Sequence, residues 1–73
     1  MNDYKGFIIT ESKYIEESHP QYNYLAFRAE NIIGQYIESV FHDLDLKIKT
    51  YDELLNIFLR NLDNFISKIE KTY

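Results

Sequence analysis

The most regular hydrophobic pattern in the chain lies between Thr50 and Tyr73. Written as heptads, this segment places large apolar side chains at positions a, d and e, on one side of a helix: Leu55, Leu62, Ile69, Tyr51, Phe58, Phe65, Leu59, Ile66 and Tyr73. Thr50 and Glu53 have the S/T-x-x-E spacing of a capping box, which marks a helix start. The pattern predicts a long amphipathic helix over 51–72, whose broad apolar face must pack against another surface.

A second helical pattern precedes this one. It begins at Ser18 and Pro20, which fit the cap and the first turn of a helix. The apolar residues that follow fall within about half the circumference of a helical wheel: Tyr22, Leu25, Ala26, Ala29, Ile32, Ile33, Tyr36, Ile37, Val40, Phe41 and Leu44. Gly34 lies on the flank of this face and should cost about 1 kcal/mol relative to alanine. The pattern predicts a second long helix over about 21–43.

Two shorter stretches carry strand signals. Residues 7–10 are an aromatic and β-branched run directly after Gly6, which favours a short strand. Residues 14–15 would supply the second strand of a small hairpin. Residues 43–49 alternate between polar and apolar side chains with period two, which indicates either a strand or an extended connector. The patterns leave open whether residues 4–16 and 43–49 form strands.

Together these elements predict a mainly α fold. Two long amphipathic helices pack antiparallel, and a short N-terminal extended or β element lies across them. The alternative is a small α+β domain in β-α-β-α order, in which residues 43–49 pair with residues 7–10. Because the chain has 73 residues and no internal repeat or linker, we expect a single small domain, 1–73.

Composition narrows the class of protein. Hydrophobic residues make up 45% of the chain and aromatic residues 16%, so a packed core is expected, and there is no cysteine for a disulfide or a thiolate metal site. The net charge is −4 and the basic residues are scattered, which disfavours direct binding to nucleic acid. No apolar run is long enough to span a membrane. We therefore expect a cytoplasmic protein that binds no membrane.

Candidate chemistry is sparse. His19 and His42 lack a second histidine or paired carboxylates at metal-ligand spacing, so no metal site is predicted. A carboxylate that acts as a general acid needs a desolvating pocket to shift its pKa, and a domain of 73 residues built on two helices rarely encloses one. The serines and threonines lie in no nucleophile motif. The two isolated glycines cannot form a phosphate-binding loop. The sequence therefore predicts neither catalytic residues nor a cofactor, and the protein is not expected to be an enzyme.

Three large apolar residues are candidates for contact with a partner. Tyr24 and Phe27 project from the polar side of the predicted first helix, and Ile57 projects from the polar side of the second. Exposed apolar residues on a small protein often mark an interface. The alternative is that the N-terminal segment folds over Tyr24 and Phe27 and buries them.

These observations suggest a small acidic, non-enzymatic protein that binds a macromolecular partner, as an inhibitor, an antitoxin-like factor or an adaptor would. The partner is expected to be a protein. The bias towards isoleucine, lysine, asparagine and tyrosine suggests AT-rich coding and a phage or mobile-element origin. The alternative is a self-assembling structural protein, in which two copies form a homodimeric four-helix bundle.

Overall fold

The computed structural model describes the backbone of residues 2–72 and the side chains of residues 3–71. Within this part the elements follow in the order β1 Asn2–Tyr4, β2 Phe7–Tyr14, a 3-10 turn at Pro20–Tyr22, β3 Tyr24–Glu30, β4 Tyr36–His42, α1 Asp43–Ile48 and α2 Tyr51–Thr72. The strands form one antiparallel sheet in the order β1-β2-β3-β4. The predicted mainly α fold with two long antiparallel helices is therefore wrong, and so is the β-α-β-α alternative.

A tight turn joins β1 to β2. Lys5 and Gly6 have φ angles of 52° and 88°, and two consecutive positive φ angles are typical of a two-residue type I′ hairpin turn. The N–H of Gly6 donates to Oδ1 of Asp3 at 3.2 Å. The turn sets Tyr4 opposite Phe7 and fixes the register of the short β1–β2 ladder.

The core lies between one face of the sheet and helix α2. Its buried side chains come from β2, β3 and α2: Phe7, Leu25, Phe27, Ala29, Leu54, Phe58 and Leu62. Phe27 and Phe58 stack with their ring centroids 5.5 Å apart, and Phe7 meets Phe65 edge to face at 6.2 Å. Burying one such side chain stabilises the fold by about 1.5–3 kcal/mol. The sheet and the helix therefore stabilise each other.

Helix α2 confirms the prediction over 51–72. Its first turn has the predicted capping box, because the N–H of Glu53 donates to Oγ1 of Thr50 at 3.2 Å and the N–H of Thr50 donates to Oε1 of Glu53 at 2.8 Å. The hydrogen bonds from Thr50 lower the pKa of the Glu53 carboxyl. Two of the predicted seam residues, Phe58 and Leu62, are completely buried.

The predicted helix over 21–43 is wrong, because this segment forms the hairpin β3–β4. In β3, Leu25, Phe27 and Ala29 point towards α2, which is the period-two pattern of a half-buried strand. The apolar residues on both sides of the two strands happen to fill half a helical wheel. Gly34 is in the connecting turn at φ +89°.

Residues 43–49 form neither the strand nor the extended connector between which the sequence pattern left the choice open, because α1 occupies Asp43–Ile48. Salt bridges at i,i+4 spacing join Lys47 to Asp43 at 3.1 Å and Lys49 to Asp45 at 3.5 Å, and this spacing favours a helix. The predicted strand over 7–10 is confirmed as part of β2. Its hairpin partner is β1 and not residues 14–15.

Candidate functional site

The loop between β3 and β4 is held in one shape by Asn31. Its side-chain Oδ1 accepts hydrogen bonds from the backbone N–H groups of Ile33 at 3.2 Å and Gln35 at 2.9 Å, and its Nδ2 donates to Oε1 of Gln35 at 2.8 Å. Two backbone bonds, from Asn31 N to Gln35 O and from Gly34 N to Asn31 O, close the loop at 3.0 and 3.1 Å. Positive φ at Gly34 completes the turn without steric cost.

This ordered loop displays two isoleucines to solvent. Ile32 is 100% exposed and Ile33 is 70% exposed. We call this pair the isoleucine tip. Because β-branched side chains are stiff, burying them against another surface costs little rotamer entropy. Covering both would gain about 3–6 kcal/mol of apolar transfer free energy. The isoleucine tip is therefore the part of the described surface best suited to anchor a contact.

The face of the sheet turned away from α2 begins beside the tip, and we call it the open face. It carries, among others, Tyr14, Tyr24, Arg28, Tyr36, Glu38 and Val40. Arg28 lies over the ring of Tyr36 at 3.9 Å and forms salt bridges to Glu30 at 3.1 Å and Glu38 at 3.5 Å. The hydrogen bonds that Arg28 donates to the Glu30 carboxylate raise the pKa of the Arg28 guanidinium further. The charge of Arg28 is thus balanced within the protein.

A groove of about 500 Å³ runs between β2 and α2 on the other side of the sheet. Its walls include Ile9 and Glu11 from the sheet and Tyr51, Leu55 and Leu59 from the helix. The hydroxyl of Tyr51 donates to Oε1 of Glu11, and this bond raises the pKa of the Tyr51 hydroxyl. Glu11 thus accepts a hydrogen bond from α2 at the mouth of the groove.

The described residues show neither a metal-binding cluster nor a membrane-spanning helix. They contain no group of three or more histidine, cysteine, aspartate or glutamate side chains placed to hold a metal ion. Neither helix, over the residues that the structure describes, has the length and apolar character needed to cross a bilayer. The ordered tip, the open face and the groove are features suited to contact with another molecule.

The three predicted partner-binding residues lie in different places. Phe27 is 1% exposed and belongs to the core. Ile57 is half-buried and packs against the core from α2. Tyr24 lies on the open face, half-buried, and stacks on Tyr14 with ring centroids 6.4 Å apart. The three side chains therefore form no common surface, and the ring of Phe27 is covered by Phe58 of α2 and not by the N-terminal segment.

The isoleucine tip was not predicted from the sequence, because Ile32 and Ile33 were assigned to the buried face of a helix. A signal was present in Asn31 and Gly34, which bracket the two isoleucines. Asparagine and glycine at this spacing are typical of a turn between strands. Reading them as a turn would have placed both isoleucines at the end of a hairpin.

No protein-family model, no curated protein and no solved structure matches the chain.

Proposed function

We propose that the protein is a non-enzymatic binding protein that inserts the isoleucine tip into an apolar pocket of a protein partner. The observation that supports the proposal is the combination of full exposure of Ile32 with a loop ordered by the hydrogen bonds of Asn31. A loop that is already ordered pays little additional entropy on binding. Such a protein acts by occupying a surface of its partner, as an inhibitor or an adaptor does.

The tip acts as an anchor within a larger contact. Association costs about 4–15 kcal/mol of lost translational and rotational freedom, which exceeds the gain of about 3–6 kcal/mol from burying two isoleucines. The additional contacts come from the neighbouring open face, where Tyr36 is 51% exposed and stacks with Arg28. Tyrosine and arginine are enriched in interface cores.

Charge indicates what surrounds the pocket on the partner. Glu30 and Glu38 flank the tip and the open face, their side chains are 46% and 52% exposed, and the chain carries a net charge of −4. An acidic rim around an apolar anchor favours a partner surface with a basic rim, because complementary potentials steer encounter. We expect binding to weaken as salt concentration rises.

The test compares the unmodified protein with two double variants in capture experiments from cells that express it. Ile32→Ser with Ile33→Ser removes the tip, and Leu44→Ser with Ile48→Ser removes similarly exposed apolar side chains from α1. Circular dichroism checks that all three proteins fold. The expected result is a protein that the parent and the α1 variant capture and the tip variant does not.

Two results would overturn the proposal. One is capture of the same proteins by the parent and the tip variant. The other is a tip that serves a membrane, seen if the parent floats with vesicles of phosphatidylcholine and phosphatidylserine and the tip variant does not. The same three proteins serve both measurements.

A further inference from the structure

The outer edge of β2 is only partly covered. Strand β1 pairs with Phe7, Ile8 and Ile9, whereas β2 continues to Tyr14. In the part of the chain that the structure describes, no strand pairs with the outer side of residues 11–13. An uncovered strand edge is a template for pairing with another chain.

The hairpin turn determines which backbone groups face that edge. In a two-residue turn the flanking residues, Tyr4 and Phe7, exchange hydrogen bonds, so the N–H and C=O of Phe7 point towards β1. Direction alternates along a strand, so the N–H and C=O groups of Glu11 and Lys13 point outwards on the same side. Those of Ser12 point towards β3, its partner strand.

The side chains along this edge are self-complementary. Glu11 and Lys13 are two residues apart and therefore project from the same face of the sheet, the face that carries α2. If two copies of β2 run antiparallel with Ser12 opposite Ser12, the Glu11 of each copy lies opposite the Lys13 of the other. Both outward-facing residues then form hydrogen-bonded pairs, which gives four backbone hydrogen bonds across the edge.

Other registers are unfavourable. Centring the pairing on Glu11 or on Lys13 sets two like charges directly opposite each other, which destabilises a strand pair. Moving the register by one residue would put Glu11 opposite Ser12 and set side chains of opposite faces against each other. Of the registers near the centre of this edge, only the one centred on Ser12 places opposite charges against each other and keeps opposed side chains on the same face of the sheet.

The groove beside the edge is consistent with this register. The incoming Lys13 would lie opposite Glu11, at the mouth of the groove and close to Tyr51. The hydroxyl of Tyr51 holds one carboxylate oxygen of Glu11, which leaves the other for the lysine ammonium. In the monomer Lys13 is exposed and makes no ion pair with residues 3–71.

We infer that a second copy of this chain pairs along the outer edge of β2, centred on Ser12, and joins the two sheets into one. In the dimer, β1 of each copy still pairs with residues 7–9 of its own β2. The β2 strand of the other copy lies end to end with this β1 along the same edge, and its last residue is Tyr14. Because the two copies run antiparallel, the isoleucine tips lie at opposite ends of the dimer. This dimer is independent of the proposed partner pocket, since the tip stays exposed.

Sedimentation equilibrium on the purified chain tests the inference. We expect the unmodified protein to dimerise at concentrations up to about 1 mM, a range that includes weak association. Glu11→Lys and Lys13→Glu, made separately, each set like charges against each other in a homodimer and should weaken dimerisation at least about tenfold. Circular dichroism confirms that each variant folds. Lys13→Glu is the cleaner variant, since Lys13 has no ion pair to lose within residues 3–71.

Exchanging the charges at positions 11 and 13 between the two chains tests whether these two residues meet across the dimer. When the two single-variant chains are mixed at equal concentration, opposite charges meet at both positions, so a one-to-one heterodimer is expected. The double variant that carries both substitutions should dimerise like the parent. A parent that stays monomeric throughout the range overturns the inference, and so does a dimer that neither substitution weakens or a mixture that forms no heterodimer.

Discussion

The hydroxyl of Tyr4 donates to Oδ1 of Asp63 at 3.0 Å and joins strand β1 to helix α2, across 59 positions of sequence. The ammonium group of Lys5 donates to the same oxygen at 3.0 Å. The hydrogen bond from Lys5 and then that from Tyr4 lower the pKa of the Asp63 carboxyl, and Asp63 in turn raises the pKa of Lys5. A single carboxylate thus fastens the short edge strand to the helix.

This arrangement predicts a loss of stability in acid. The pKa of Asp63 is lower in the folded state than in the unfolded state, so its contribution is complete above about pH 4, the unfolded value. It is lost as the pH falls through the folded value. Urea unfolding between about pH 6 and pH 2.5 should therefore show a shallower acid loss for Asp63→Asn than for the parent.

The matched control for that measurement is Glu17→Gln. Glu17 is exposed and makes no hydrogen bond or ion pair with residues 3–71. Its substitution should leave the acid profile unchanged. If Asp63→Asn and Glu17→Gln give the same profile as the parent, the link between Asp63 and the edge strand contributes nothing to stability.

Removing the ring of Phe58, at the centre of α2, should strongly destabilise the fold. Phe58 is completely buried and stacks on Phe27, so Phe58→Ala should lower the free energy of unfolding by about 3–5 kcal/mol. That is a large part of the total expected for a chain of this size. Asn64→Ala, at an exposed position of the same helix, should change it by less than about 0.5 kcal/mol. Urea unfolding that gives similar values for the two variants would contradict the packing described.

The contribution of the capping box to stability should be measurable by itself. Thr50→Ala removes the acceptor for the N–H of Glu53 and should cost about 1 kcal/mol in free energy of unfolding. Thr50→Ser keeps the hydroxyl oxygen and should stay close to the parent. Thermal unfolding of the three proteins distinguishes the lost hydrogen bond from a general effect of substitution at this position, because only the first predicts a difference between alanine and serine.

The rigidity of the β3–β4 loop should depend on the side chain of Asn31. Asn31→Ala removes the acceptor for the amides of Ile33 and Gln35, so both should exchange hydrogen for deuterium faster. Asn61→Ala, on the exposed side of α2, serves as the control. NMR measures the exchange rate of each amide. If the amides of Ile33 and Gln35 exchange at the same rate in the parent and in both variants, Asn31 does not hold the loop.

Helix α2 could be predicted from sequence because its signals agree over 22 residues. The heptad pattern, the Thr50–Glu53 box and the acidic first turn all indicate one long helix. The pattern missed Leu54, which is 1% exposed and belongs to the core. Leu54 falls at position g of the same heptads, whereas the predicted face used positions a, d and e, so the buried stripe also extends to the other side of the seam.

The two strands that follow Asn23 could not be separated from a helix by periodicity. Each is seven residues long, and a seven-residue strand gives few repeats of a period-two pattern. Tertiary contacts decide that this segment forms strands. The pairing of Phe27 opposite Ser39 and the packing of α2 against this face outweigh the local helix propensity. The isoleucine tip was missed for the same reason, because its exposure depends on the turn at Gly34.

Strand order along the sheet follows strand order along the chain, and this has a consequence for folding kinetics. Each ladder closes over a short loop, so little chain entropy is lost before the first strand contacts form. The docking of α2, which brings Asp63 to Tyr4, spans most of the sequence. We expect this docking to limit the folding rate, so that stopped-flow refolding slows more with Phe58→Ala than with Asn31→Ala.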